Sequence, residues 1–265
     1  MTISIRSSFA FTTEAPIDAM LQFEAADIPE QKLLSCNTDM TEAAQCIRIP
    51  AQEEIGERVW VRADGRFEVQ HDARVDIQRQ LVDLPSLKQL DPHRMPAAPV
   101  QYLFDSAFCP ADRFQSFVEA QFGGTSGGER VEAIREWVSD RFTYAPGSSD
   151  AHTTALDSFV ERRGICRDFA HVVISLARAS TIPARYVACY GPDVSPQDFH
   201  AVAEVFLHDP ESKDGGTWQL VDATGMARAD EIVKIGVGRD AADVSFLTSF
   251  GMVDLCEKTV EVSRD

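Results

Sequence analysis

Five prolines between residues 85 and 110 (Pro85, Pro92, Pro96, Pro99 and Pro110) constrain this chain more than any other feature. A proline fixes φ and removes a backbone donor, so a run at this spacing interrupts both helices and central strands. The segment reads as a connector, and the patterns on its two sides differ. Before it, Ile3, Ile5, Phe9 and Phe11 keep period-two spacing, as do Val59 and Val61, Phe67 and Val69, and Val75 and Ile77. Such alternation marks half-buried strands. Asp64-Gly65 lies between two of these runs and signals a two-residue hairpin. The stretch from Ile17 to Glu24 fits helix or strand equally.

After the connector, Pro110 suits the first turn of a helix. Phe114, Phe117, Val118 and Phe122 then fall at helical spacing, followed by Val131, Ile134, Val138 and Phe142. Leu156, Phe159 and Val160 form a shorter stripe stopped by Gly164, and Phe169, Val172, Val173, Leu176 and Ala177 form a fourth. Strand patterns return over 184–190, 199–207 and 217–223, and Met252 to Val262 reads as a last strand. Strands, then helices, then strands give an α+β chain, not an alternating parallel sheet. The expected organisation is a β-rich N-terminal domain over 1–84, the connector over 85–110, a core over 111–251, and a C-terminal strand over 252–265 that returns to one of the domains.

With 265 residues and 44% hydrophobic content, the chain can bury a sizeable core. A formal net charge of -17 argues against nucleic acid or an anionic membrane as partner, since both call for a basic footprint. The opening MTISIRSSFAFTT lacks a basic stretch followed by an apolar core, so no secretory leader is expected. No apolar run approaches the roughly 20 residues of a membrane span. The six cysteines are scattered without CxxC spacing, which suits reduced thiols and a cytoplasmic location. Pairing of Cys36 with Cys46 is left open by the sequence.

The sharpest local feature runs from Arg163 to His171, Arg-Gly-Ile-Cys-Arg-Asp-Phe-Ala-His. Cys166 follows a glycine and opens an apolar helical stripe. A helix N-terminus presents free N–H groups and partial positive charge, which favour an anionic sulfur and can receive an oxyanion. A thiol nucleophile needs a base, and the base an orienting group. His200 begins a strand-like run shared with Glu204, and Asp222 ends the next one, Trp218 to Thr224. The link between them carries Asp209, Pro210, Glu211, Asp214, Gly215 and Gly216, so the two runs make an antiparallel pair that can bring His200 beside Asp222.

Four ordered motifs carry a resemblance: Gly-Ile-Cys-Arg-Asp-Phe-Ala-His at 164–171, Ile-Pro-Ala-Arg-Tyr-Val-Ala-Cys-Tyr-Gly at 182–191, Phe-His-Ala-Val-Ala-Glu-Val-Phe at 199–206, and Trp-Gln-Leu-Val-Asp-Ala-Thr at 218–224. Together with Gly-Arg-Asp-Ala-Ala-Asp-Val-Ser-Phe-Leu near 238, they resemble the transglutaminase-like superfamily over roughly 105–250. The resemblance implies a papain-like core preceded by a β-rich domain, with Cys166, His200 and Asp222 as a catalytic triad. It also implies thiol-dependent acyl transfer at a peptide or protein amide. Hydrolysis, as in a peptidase or amidase, and transamidation need the same triad, so the acceptor stays open. The chain departs from many relatives in having Ala-Val-Ala where an aromatic follows the His-Ala pair. It shows no clear calcium loop, and no cofactor or metal is expected.

Other assignments compete with these. From another class of function, the chain can be a non-catalytic interaction module that keeps the fold; an intact triad argues against it. Asp222 can cap a turn with Thr224 instead of orienting an imidazole. Asp168 is explained by the helix dipole. His171 lies five positions after Cys166, about 140° round a helix, and should point elsewhere. A zinc site from Cys166, His171, Cys189 and His200 matches no compact zinc spacing. Cys189 reads as a small hydrophobe and Trp137 as core, while Tyr144 is a weaker candidate for the cleft or for an oxyanion.

Overall fold

The computed structural model describes residues 1–210, 212 and 215–265. Glu211 and Asp214 of the polar link lie outside them. Strands β1 (Thr2–Thr12), β2 (Ile17–Leu21), β3 (Gln31–Met40), β4 (Cys46–Pro50), β5 (Glu57–Ala63) and β6 (Arg66–Ile77) come first. The connector holds short 3-10 turns and a single turn of helix, α1 (Ala97–Val100). Then follow α2 (Gln115–Phe122), α3 (Gly127–Arg141), β7 (Thr143–Tyr144), α4 (Ala155–Glu161), β8 (Arg163–Gly164) and α5 (Cys166–Ala179). The chain closes with β9 (Ala184–Tyr190), β10 (His200–His208), β11 (Gly216–Val221), β12 (Val233–Gly238), β13 (Leu247–Ser249) and β14 (Asp254–Arg264).

The first six strands divide between two sheets, ordered β14-β1-β6-β3 and β13-β2-β5-β4. Their facing sides share a core of Phe9, Phe11, Phe23, Val59, Phe67 and Val69. In β6 the burial alternates strictly, as period-two spacing requires of a strand with one wet face. The expected hairpin at Asp64-Gly65 is different in the structure. β5 and β6 belong to separate sheets, and the turn between them is a corner of the sandwich. Alternating strands around a tight Asp-Gly turn look the same whether the strands pair or part. Ile17 to Leu21, ambiguous in sequence, is strand β2, paired with β5.

The third sheet, β11-β10-β9-β12, is antiparallel. On one side lies α5, most of it buried, with α2, α3 and α4 packed around it. Elsewhere the sheet meets the sandwich, where Val233, Ile235 and Tyr190 pack against Ile3, Ile5 and Val75. Two late segments cross back to the sandwich. β13 pairs with β2, and the eleven-residue β14 pairs along β1 from Ile3↔Arg264 to Thr12↔Asp254. The cleft described next therefore has walls from both halves of the molecule.

Candidate active site

Cys166 is the first residue of α5 and follows the N-cap residue Ile165. The preceding helix α4 ends earlier than expected: Arg162, not Gly164, takes the left-handed conformation, at φ 58°. That frees Arg163-Gly164 to form β8 beside β7, so Tyr144 lies opposite Gly164. Asp168, fully buried in the first turn, folds back to accept the Ile165 N–H at 2.8 Å and pairs with Arg167 at 3.1 Å. A Cβ on residue 164 would stand 2.5 Å from that of Asp168, so glycine is required there. Asp168 thus anchors the turn that presents Cys166.

His200 opens β10 opposite Cys189 on β9. Asp222 comes one residue after β11, whose last pair is Val221 with Ala203. This register brings the two side chains together: His200 Nε2 donates to Asp222 Oδ2 at 3.0 Å. The same oxygen accepts the Ala227 N–H at 2.8 Å, and Oδ1 accepts the N–H and hydroxyl of Thr224 at 2.8 and 2.7 Å. Asp222 therefore caps the turn and also holds the imidazole. Burial works against its charge, but these donors, His200 first, keep the carboxyl below its usual range.

The other imidazole nitrogen, Nδ1, is buried without a hydrogen-bond partner. The thiol does not meet conventional hydrogen-bond geometry with it, yet Cys166 is close enough to affect the ring. Burial lowers the affinity of His200 for a proton, while Asp222 and then Cys166 more than offset this and raise its pKa to about 10.

Cys166 and His200 line a cleft of about 430 Å³. Tyr144 also lines it; burial, and next the proximity of Cys166, push its phenol up to about 12. The far wall includes Gln22, Leu247 and Lys258, contributed by the sandwich and its returning strands. Phe199 stacks on Phe246 with centroids 5.1 Å apart, and Lys258 Nζ lies 2.6 Å from Asp198 beside them. Phe199, Phe246 and Leu247 fall within the sequence motifs, but the sequence assigns no role to any of these far-wall groups. Gln22 follows a short strand and Lys258 sits on an alternating one, so no local signal marks either.

The remaining candidates lie apart. His171 is buried, accepts the Ala241 N–H at 3.2 Å, and so fastens the turn at 241–243, which borders the cleft. Trp137 packs among Phe117, Phe142 and Phe159. Cys189 sits in an apolar cluster, its pKa pushed well up by burial. All six cysteines are free, Cys36 and Cys46 included. Among the described residues, no group of three or more His, Cys, Asp or Glu side chains gathers to hold a metal ion. No helix there is long and apolar enough to cross a membrane.

Residues 116–223 match the family model described as Transglutaminase-like superfamily. A solved structure of a candidate cysteine protease from Cytophaga hutchinsonii superposes with a TM-score of 0.89 at 29% identity, covering 99% of this chain and 90% of that one. An uncharacterized protein of Mycobacterium leprae is 30% identical over 139 residues, which is 51% of this chain and 50% of the relative. An uncharacterized Mycobacterium bovis protein is 30% identical over 148 residues, 51% of this chain and 46% of its own length. The chain thus spans about half the length of the curated relatives it matches.

Proposed function

The chain belongs to the transglutaminase-like superfamily through residues 116–223, and from that premise we propose that it is an enzyme transferring an acyl group from an amide through Cys166, with His200 as acid and base and Asp222 as its orienting partner. One observation carries the reading. His200 is fixed at Nε2 by Asp222, its Nδ1 is left unbonded, and Cys166 stands next to it at a helix start.

The chemistry follows from that arrangement. The Cys166 sulfur, as thiolate, adds to the amide carbonyl. The oxyanion develops near the N–H groups at the very start of α5, ahead of those of Asp168 and Phe169, which already donate to the Ile165 carbonyl. The protonated His200 gives its proton to the departing nitrogen, the C–N bond breaks, and an acyl thioester with Cys166 remains. Water or a primary amine then attacks the thioester, His200 takes the proton, and the thiolate is released. Asp222 stabilises the imidazolium at both stages, and the raised pKa of His200 fits a resting imidazolium. The substrate class is a peptide or protein amide.

A panel of peptide amides, offered with and without an added primary amine, tests this. Mass spectrometry of the products separates the free acid of hydrolysis from the new amide of transamidation. The expected result is turnover that disappears in Cys166→Ala. Turnover that persists in Cys166→Ala overturns the mechanism. A second check is alkylation with iodoacetamide and peptide mapping. Cys166 should react faster than the exposed Cys36, Cys46 and Cys256 despite its burial, and a rank among the slowest would refute its nucleophilic role.

A further inference from the structure

Gln22 is an anomaly in the wall of the cleft. Its side chain is 2% exposed, it lines the cleft with Cys166 and His200, and its Nε2 is buried with no hydrogen-bond partner. The orientation of the amide is fixed from outside the cleft. Arg58 Nε, which can only donate, gives its hydrogen to Gln22 Oε1 at 3.2 Å, so the NH2 end must face the other way. The backbone is held too, since the Gln22 N–H donates to the Phe246 carbonyl at 3.1 Å. Space for the amide is reserved by Gly236, where a Cβ would fall 2.0 Å from Nε2. Around it the cleft is apolar, with Ile235, Val244, Phe246 and Leu247. Buried amide donors are almost always satisfied. Here three separate features hold one in place with nothing to donate to, in the wall of the cleft that Cys166 also lines.

We infer that Gln22 is a specificity group for the acyl donor, and that the preferred substrates are amides whose acyl part has a short apolar stem ending in a carbonyl or carboxylate oxygen. The stem lies along the apolar wall, and the terminal oxygen accepts from Gln22 Nε2. Lys258, held to Asp198 at the same cleft, adds a positive group on that side without making the site strongly cationic. The inference rests on Cys166 being the group that receives the acyl carbon. It gives the sandwich a part in the reaction: the helical half supplies the nucleophile, and the strand half selects what reaches it.

Binding to Cys166→Ala protein tests the selection without turnover. Titration calorimetry would compare short peptide amides that differ only at the end of the acyl side chain: carboxamide, carboxylate, or an isosteric isopropyl group. An acceptor-ended amide should bind about tenfold or more tighter than the isopropyl one, because a site built to donate discriminates against a ligand that cannot accept. Adding Gln22→Met should bring the three within about twofold. Gln22→Glu keeps an acceptor for Arg58 while replacing the donor, so it should weaken the carboxylate most. Equal affinities in the Cys166→Ala parent, no binding of either acceptor-ended amide, or a preference that survives Gln22→Met would each overturn the inference. Failure of the Cys166-containing enzyme to turn over the tightest-binding amide would instead count against acyl transfer, leaving the measured preference intact.

Discussion

Two clusters of buried polar groups sit four residues apart on β10, and they differ in one respect. Around Glu204, every charge has a counterpart. Glu204 pairs with Arg185 at 2.7 Å and with Lys234, Lys234 reaches Glu30 at 2.5 Å, Arg185 reaches Glu53 at 2.5 Å, and Arg79 meets Glu30 at 3.2 Å. Carboxylates and cations are equal in number. Glu30 and Glu53 come from the N-terminal half, so this closed cluster ties that half to the third sheet. Around His200, Asp222 is fully occupied, but the ring keeps one unbonded nitrogen beside a thiol. A structural cluster satisfies all its members; a reactive one keeps a valence in reserve. Substitutions in the two clusters should therefore be read by different measurements.

The largest expected effect is on rate. Cys166→Ala should lower turnover by at least about three orders of magnitude, since removing a nucleophile removes the covalent route, while leaving urea unfolding little changed. Loss of folding together with activity would show that the site also carries stability. Next comes Glu204→Ala, which leaves Arg185 and Lys234 buried beside an emptied position. Breaking a buried ion pair from one side costs about 3–5 kcal/mol. The expected readout is a lowered urea midpoint with Cys166 still the fastest cysteine to alkylate. Unchanged stability would mean that the ion cluster is incidental.

Asp222→Asn separates the clusters more finely. An amide accepts from the imidazole but does little for an imidazolium. In a serine triad the same exchange costs about four orders of magnitude. A thiol is far more acidic than a serine hydroxyl and needs less help from its base, so a loss of roughly ten- to a thousandfold is expected here. The turn should be weakened but not lost, because the single amide oxygen can keep either the Thr224 N–H and hydroxyl or the Ala227 N–H while its NH2 faces the other site, so urea unfolding is read beside turnover. If Asp222→Asn turns over at the parent rate while Cys166→Ala is dead, Asp222 serves the turn alone and the triad reduces to a dyad.

The difference between the clusters also governs what could be read in advance. Cys166, His200 and Asp222 stand in contiguous motifs, and each motif carries its own local geometry: a helix start, a strand start, a turn. Pairing of β10 with β11, which the turn-rich link signals, brings His200 to Asp222, and the packing of α5 on the sheet brings Cys166 to His200. Gln22 acquires meaning only when β13 crosses back to β2 and Arg58 turns its amide, and no window of sequence contains that. β12 was not legible either, because Lys234 and two glycines interrupt an otherwise buried strand; the lysine is neutralised by Glu30 and Glu204, which are remote in sequence. The edge strand β3 is polar and largely exposed, so it shows no alternation. Asp64-Gly65 marked a true reversal but not which sheet the chain enters afterwards.

The smallest expected effect is a pH slope, and it should differ in sign between the two clusters. His200 has its pKa raised from 6.5 to about 10 in the folded protein. Its contribution to stability is full below pH 6.5 and is lost as pH rises toward 10, because the folded form keeps a proton that the unfolded form has released. Glu204 has its pKa lowered from 4.5 to about 2: burial alone would raise it, and Arg185 and Lys234 reverse that. Its contribution is full above pH 4.5 and is lost as pH falls toward 2. One proton limits either slope to about 1.4 kcal/mol per pH unit. Urea unfolding of Cys166→Ala protein and its His200→Gln derivative between pH 6.5 and about 8.5 isolates the first contribution, since without Cys166 no thiol at the site can release the proton that the ring takes up. The buried His71 and His171, whose pKa values are lowered, cancel in that difference. The His200-containing protein should lose its advantage over the His200→Gln derivative as pH rises through this window. A constant difference across the alkaline window would mean that Asp222 does not hold a proton on His200, and the proton for the leaving amine would then have to come from Cys166 itself.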